Sequence, residues 1–283
     1  MHWHWLDWTT DLAGLLLWLS WRGFGAHPVS AKPALTLASN LHPADGGTPR
    51  RSPMALPGLL MLLVARAALH HGFPPHFAEA VPWSLGAVTV VFRSDLWSRM
   101  LAHSVLSWVG LLIQAYLAFA FLAALRRRDA ETDPITRSLR GELGSLARWP
   151  WGLSMVPFLV ALGGLWLAVS PVLVSAGLVP ARASGAHALQ QAGVVAIAGL
   201  ACLKWPLGLL CLMRFFLDHV YLGPMPLWDY LHSTGGRLCG WLAPLPLRWG
   251  RIDLAPLVAA GLFWGIGHLV EGAAPRLFLR LPW

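Results

Sequence analysis

The sequence predicts an all-α, polytopic membrane protein, and three observations carry that fold class. Of 283 residues, 56% are hydrophobic and 12% charged, about half the charged fraction of a soluble domain. The apolar residues gather in blocks close to the roughly 20 residues that a bilayer-spanning helix needs. Many of the 17 tryptophans flank those blocks, Trp5, Trp8, Trp149, Trp151 and Trp249 among them, as expected of indole rings at the headgroup layer.

Six apolar segments follow in order, at residues 10–25, 54–72, 100–125, 153–177, 192–217 and 254–271. The first is short and leucine-rich, and the fifth carries Lys204 and Arg214. Asp7 and Asp11 stand where a secretory signal would carry basic residues, so the N-terminal segment is expected to be retained. Paired in succession, the segments form three tandem helical hairpins: residues 1–75, 99–180 and 181–283, with a connector at 76–98. In that connector "WSLGAVTVVFRSD", Trp83 to Asp95, is rich in β-branched residues and reads as a short strand or a re-entrant turn.

The hairpins share a repeat. Pro57, Pro157 and Pro256 are spaced by 100 and 99 residues, and each begins the second helix of its hairpin. The first helices contain Leu-Ser-Trp at 19–21 and at 106–108, and Leu-Lys-Trp at 203–205. Matching order at a near-fixed period signals tandem units. A proline in the first turn costs no hydrogen bond and suits the helical φ. In "GRIDLAPLVAAGLFW", Asp253 stands three residues before Pro256, where its carboxylate caps free N–H groups and meets the positive end of the helix dipole. Ser154 holds the same offset from Pro157. Met54 takes that place in the first unit and has no capping oxygen, which leaves Ser52 as the candidate.

Charge sets the expected orientation. The loops at 26–53, 126–150 and 218–252 hold twelve of the 21 Lys and Arg residues, and the opposite side holds five. The basic side is therefore expected to be cytoplasmic, with both termini outside. The net charge of +8 is then a matter of loop topology, and no nucleic-acid partner is expected. Two of these loops are amphipathic. In "DPITRSLRGELGSLARWPW", Ile135, Leu139, Leu143 and Leu146 share a helical face, with Arg137, Arg140 and Arg148 elsewhere. "PLWDYLHSTGGRLCGWLAPLPLRWG" mixes Trp and Leu with Arg237 and Arg248, and Arg251 follows. Such helices lie in the headgroup layer with arginines on anionic lipid, or pack on the bundle as short solvated helices.

The candidate functional residues are few. Lys204 sits near the middle of the fifth segment, where a lysine costs about 2.5–3.5 kcal/mol to insert unless it is paired or hydrated. A functional lysine would line a polar cavity or meet a lipid headgroup or carboxylate; a plain one would snorkel. Arg214, ten residues on, is expected near the cytoplasmic interface, and Arg66 near the outer end of its helix. Of the twelve histidines, His103 and His268 lie in apolar helices, and His70 and His71 end the second one. No pair shows ligand spacing within a helix and no acid accompanies the buried ones, so neither metal nor haem is expected. Cys202, Cys211 and Cys239 form no CxxC and read as small apolar residues. No nucleophile motif or phosphate loop is present, so no catalytic, metal or cofactor-binding residue is assigned. Acidic residues fall in loops or at helix ends, which disfavours proton-coupled transport.

The third unit resembles the YggT/YlmG family of small integral membrane proteins. The residues that carry this are Gly250, Asp253 and Pro256 in "GRIDLAPLV", preceded by a Pro-led amphipathic stretch. Ala255 replaces the hydroxyl residue usual in the family. The second unit matches more loosely through "DPITRSL" and "SMVPFLV", and the first only through its hairpin pattern and Pro57. A usual member has two hairpins, so this chain would be an extended version with three. The resemblance implies roles in membrane organisation, envelope and division processes, osmotic tolerance or assembly of membrane complexes, with no enzyme activity. The leading expectation is a non-enzymatic scaffold or assembly factor in a bacterial-type inner membrane. It would dock on anionic lipid and on other membrane proteins or itself, with no cofactor. The alternatives are an accessory subunit of an energy-converting complex, and a channel or transporter.

Overall fold

A computed structural model describes residues 3–24, 52–72, 80–127, 133–150, 152–179, 184–223, 225–249 and 252–281. It is nearly all helix. In chain order the elements are α1 (Trp3–Arg22), α2 (Ala55–Gly72), a hairpin of β1 (Ala80–Leu85) and β2 (Val88–Arg93), α3 (Trp97–Leu125), α4 (Pro134–Leu143), α5 (Val156–Ser175), α6 (Gly185–Ala198), α7 (Lys204–Leu217), α8 (Pro226–Cys239), β3 (Arg248–Trp249), β4 (Ile252–Asp253) and α9 (Ala255–Arg280). A 3₁₀ segment, Gly199–Leu203, joins α6 to α7 in one rod of 33 residues. By length and composition, five elements can cross a bilayer: α2, α3, α5, the α6–α7 rod and α9. The chain is thus built as a polytopic membrane protein.

Helix α1 has 20 residues and packs on α2 and α3. It starts at Trp3, seven residues before the apolar segment that announces it, so Asp7 and Asp11 are helical residues and not a polar lead-in.

The three prolines fall in first turns, Pro57 third in α2, Pro157 second in α5 and Pro256 second in α9. Asp253 accepts the Ala255 N–H at 3.0 Å, as a capping residue should. The cap expected of Ser154 is not made: Met155 holds the N-cap position of α5, with no side-chain cap. Ser52 serves α2 with its carbonyl, which accepts the Ala55 N–H at 3.2 Å.

The connector is an antiparallel hairpin, not a re-entrant turn. Its strand period of two points Val81, Trp83 and Leu85, then Val88, Val90 and Phe92, into the bundle. There they meet Ala67, Met100, Leu162 and Trp166 in one core cluster. The turn at Gly86 has φ +62°, and a Cβ there would lie 2.9 Å from the Ala198 Cβ. Only glycine satisfies both the φ and the approach to α6.

The other end of the bundle carries the amphipathic loop helices. Thr136, Leu139 and Leu143 of α4 are buried, and Leu139 and Leu143 join Ala120, Ala123 and Tyr230 in a core cluster. Tyr230, Thr234, Leu238 and Cys239 of α8 face inward as well. Both helices thus dock on the bundle, while Leu227 of α8 stays exposed. Gly235 allows the contact of α8 with α7, since a Cβ there would sit 2.6 Å from the Arg214 Cβ and 2.9 Å from the Leu210 carbonyl oxygen.

Polar pairs seal this end. Arg126, buried, meets Asp133 at 3.2 Å and lies over the Tyr230 ring at 5.0 Å. Asp133 in turn caps α4 through the N–H groups of Ile135 and Thr136. Burial pushes the Tyr230 hydroxyl up to about 12. The Trp18 indole donates to the Tyr116 hydroxyl at 3.0 Å, and that hydroxyl donates to Glu142 at 3.2 Å. Arg22 closes the chain on Glu142 at 3.1 Å.

Candidate functional site

The chemistry-bearing residues of the bundle gather toward the β1–β2 end in two charge clusters. The first joins α1, α2 and α3. Arg66, with 3% of its side chain exposed, donates Nε and Nη2 to Asp7 Oδ1 at 3.0 and 2.7 Å. Its Nη1 donates to Asp11 Oδ1 at 2.7 Å and its Nη2 to the Ser107 hydroxyl at 3.2 Å. His70 Nε2 meets Asp7 Oδ1 at 2.9 Å. The His70 and His103 rings stand edge to face, 5.6 Å apart, and His103 Nε2 lies 3.4 Å from the Pro82 carbonyl oxygen.

Arg66, read from the sequence as lying near the outer end of its helix, is thus buried and holds two carboxylates. His70 has Asp7 beside it, while His103 meets the Pro82 carbonyl, and both rings turn Nε2 toward protein groups. The signal lay in the spacing. Asp7 and Asp11, Arg66 and His70, and His103 and Ser107 are each four residues apart, which puts each pair on one helix face. Only packing brings the three faces together.

The second cluster joins α7 to α9. Lys204 is buried, with 4% of its side chain exposed, and its Nζ is bonded to Glu271 of α9. His268 Nδ1 lies 3.5 Å from Lys204 Nζ and 3.3 Å from Glu271. The lysine stem reaches α9 along a notch at Gly267, where a Cβ would lie 2.6 Å from the Lys204 Cβ and Cδ. Lys204 therefore neither snorkels nor stands alone. Its carboxylate comes from within the apolar helix α9, whose sequence reads as free of buried acids. Asp7, Asp11 and Glu271 are thus helical residues, with 25%, 20% and 42% of their side chains exposed.

Between the clusters lies a cavity of about 810 Å³, walled by α1, the β1–β2 turn, α3, α7 and α9. Asp11 and Glu271 both line it, with Trp8, Leu15, Gln114 and Trp205. Lys204 and Arg66 stand behind those carboxylates.

The other residues singled out by the sequence are elsewhere. Arg214 is at the basic end, where its Nε donates to Asp218 at 2.9 Å and its Nη1 to the His232 carbonyl at 3.0 Å. Arg137, Arg148 and Arg237 are exposed there and Arg140 is half-buried. Arg237 Nη1 donates to the Leu125 carbonyl at the end of α3, 3.1 Å away. Arg248 lies in β3, while Gly250 and Arg251 lie outside the described residues. The three cysteines are free thiols. Cys211 and Cys239 face each other across α7 and α8 with Sγ atoms 3.9 Å apart. Among the described residues, no group of three His, Cys, Asp or Glu side chains is placed to hold a metal ion.

Comparison with known protein families, with characterised proteins and with solved structures gives no match.

Proposed function

We propose that this protein is a non-enzymatic membrane scaffold that docks on anionic lipid and on other integral membrane proteins through its basic end. One observation carries the reading: α4 and α8 dock on the bundle and leave arginines outside. Arg137, Arg148 and Arg237 are exposed. Arg127 joins them, its Nη2 donating to the Arg148 carbonyl at 3.3 Å. A basic patch of this kind draws anionic headgroups with about 1 kcal/mol per residue near the surface, and the guanidinium fork matches phosphate and carboxylate alike.

Helix α1 begins and α9 ends at the β1–β2 end, opposite these arginines. The positive-inside rule then puts the basic end in the cytoplasm of a bacterial-type inner membrane. Apolar residues on the outer faces of the helices, such as Met61, Val160 and Leu269, supply the surface for lipid or a neighbouring membrane protein.

Gentle extraction from the protein's own membrane tests the proposal. The expected result is a complex of defined composition, larger than the 30.9 kDa chain, that retains anionic lipid. Substituting Arg137, Arg148 and Arg237 together by glutamine should shed both. A lone chain without bound anionic lipid, unaltered by those substitutions, would refute it.

A further inference from the structure

We propose that the cavity between the two charge clusters is a binding site for a membrane lipid with a primary ammonium headgroup. This stands apart from the basic end and does not depend on the scaffold reading.

The cavity wall is rich in acceptors. Asp11 spends Oδ1 on Arg66, and Glu271 spends Oε2 on Lys204. Among the described residues, Asp11 Oδ2 and Glu271 Oε1 have no partner, and both carboxylates line the cavity. Ser84, Thr89 and Gln114 line it too, and their side chains make no hydrogen bond within the described residues. Pro275, also in the wall, lacks the N–H that would meet the Glu271 carbonyl four residues earlier. An ammonium brings three N–H donors to such a wall. A quaternary headgroup brings none.

Charge points the same way. Asp7, Asp11 and Glu271 face two fixed cations, Arg66 and Lys204. An ammonium adds charge-assisted hydrogen bonds to the free carboxylate oxygens, whereas an anionic headgroup would meet like charge there.

The remaining wall selects a lipid over a soluble amine. Leu12, Leu15 and Leu111 continue the cavity in apolar surface, and Trp8 and Trp205 flank it. Trp8, Leu12 and Trp205 are each more than half exposed on the outer faces of α1 and α7. In a membrane protein those faces meet acyl chains. The cavity of about 810 Å³ accommodates a headgroup with the first part of a chain.

The test uses the full chain in lipid nanodiscs made of equal parts phosphatidylethanolamine, phosphatidylcholine and phosphatidylglycerol, with retained lipid counted by native mass spectrometry. One phosphatidylethanolamine should stay bound, in roughly tenfold or greater preference over the other two, as one charge-assisted contact provides. Asp11→Asn with Glu271→Gln should abolish the preference. Leu15→Trp fills the cavity, leaves both carboxylates in place and should also expel the lipid, which guards against variants that fail only by misfolding. Equal retention of phosphatidylcholine or phosphatidylglycerol overturns the proposal, as does a folded Leu15→Trp protein that keeps its phosphatidylethanolamine. Displacement of all bound lipid by millimolar ethanolamine would assign the site to a soluble amine and overturn the lipid.

Discussion

Replacing Arg66 by methionine keeps an unbranched apolar stem, though a shorter one, and removes the guanidinium on which Asp7 and Asp11 both lean. Four hydrogen bonds go with it, two to Asp7, one to Asp11 and one to Ser107. Asp7 keeps His70, but Asp11 is left with no partner among the described residues. Removing one side of a buried ion pair costs about 3–5 kcal/mol, because the remaining charge stays buried. Asp11 keeps 20% of its side chain exposed and borders the cavity, so the lower figure applies, about 3 kcal/mol or roughly a hundredfold in the folding equilibrium. Adding Asp7→Asn and Asp11→Asn removes the stranded charges and should restore at least half the loss, since neutralising both sides of a buried pair is often close to neutral. Unfolding by titrated SDS in mixed micelles, followed by tryptophan fluorescence, measures all three proteins. An Arg66→Met protein within about 0.5 kcal/mol of the parent, or a triple variant no more stable than the single one, would refute the argument.

Four further outcomes are expected. Gly267→Ala places a Cβ 2.6 Å from the Lys204 stem, so it should cost about 1–3 kcal/mol by overpacking and uncouple Lys204 from Glu271, read as lower thermal stability that Lys204→Ala partly relieves. Gly235→Ala should push α8 off α7 and speed proteolysis within 218–225 in detergent, with the α1–α3 half unaffected. Glutamine at Arg137, Arg148 and Arg237 should weaken binding to phosphatidylglycerol-rich vesicles by roughly a hundredfold, at about 1 kcal/mol per residue, and flatten its salt dependence. Tyr230 has its folded value pushed up to about 12 from an ordinary 10 by burial, so its contribution is fully present below pH 10 and is lost as pH rises toward 12. Alkaline melting should therefore show a loss on the order of 2–3 kcal/mol that Tyr230→Phe removes.

Elements with their own local chemistry were legible in the sequence. Apolar blocks marked the spans, and the three first-turn prolines and the Asp253 cap marked where returning helices begin. Lys204 stood out because a lysine in an apolar run needs a partner. The partner itself was not legible, because Glu271 reads as the polar end of α9 until that helix is seen to run on to Arg280. The first cluster was hidden for a related reason. Asp7 and Asp11 precede the apolar part of α1, and nothing local says that the helix reaches back to enclose them. Amphipathic α4 and α8 showed the limit of periodicity, which marks an apolar face without saying whether protein or lipid covers it. The β1–β2 hairpin left its trace in the alternation of Val88, Val90 and Phe92, too short a run to separate from a turn.

The 3₁₀ segment at Gly199–Leu203 has a consequence for how one membrane crossing serves the fold. A 3₁₀ residue turns the chain by about 120° and an α-helical residue by about 100°. Five such residues therefore rotate everything beyond them by about 100° relative to a straight helix. The half before the break lays its small residues on α5, where Gly163 approaches the Ala192 carbonyl. The half after it presents Lys204, Leu207 and Cys211 to α8 and α9. A straight rod offers its neighbours a single stripe; this one offers two, aimed a quarter-turn and more apart. The two halves of the bundle are thereby stitched together by a span that answers to each in its own register.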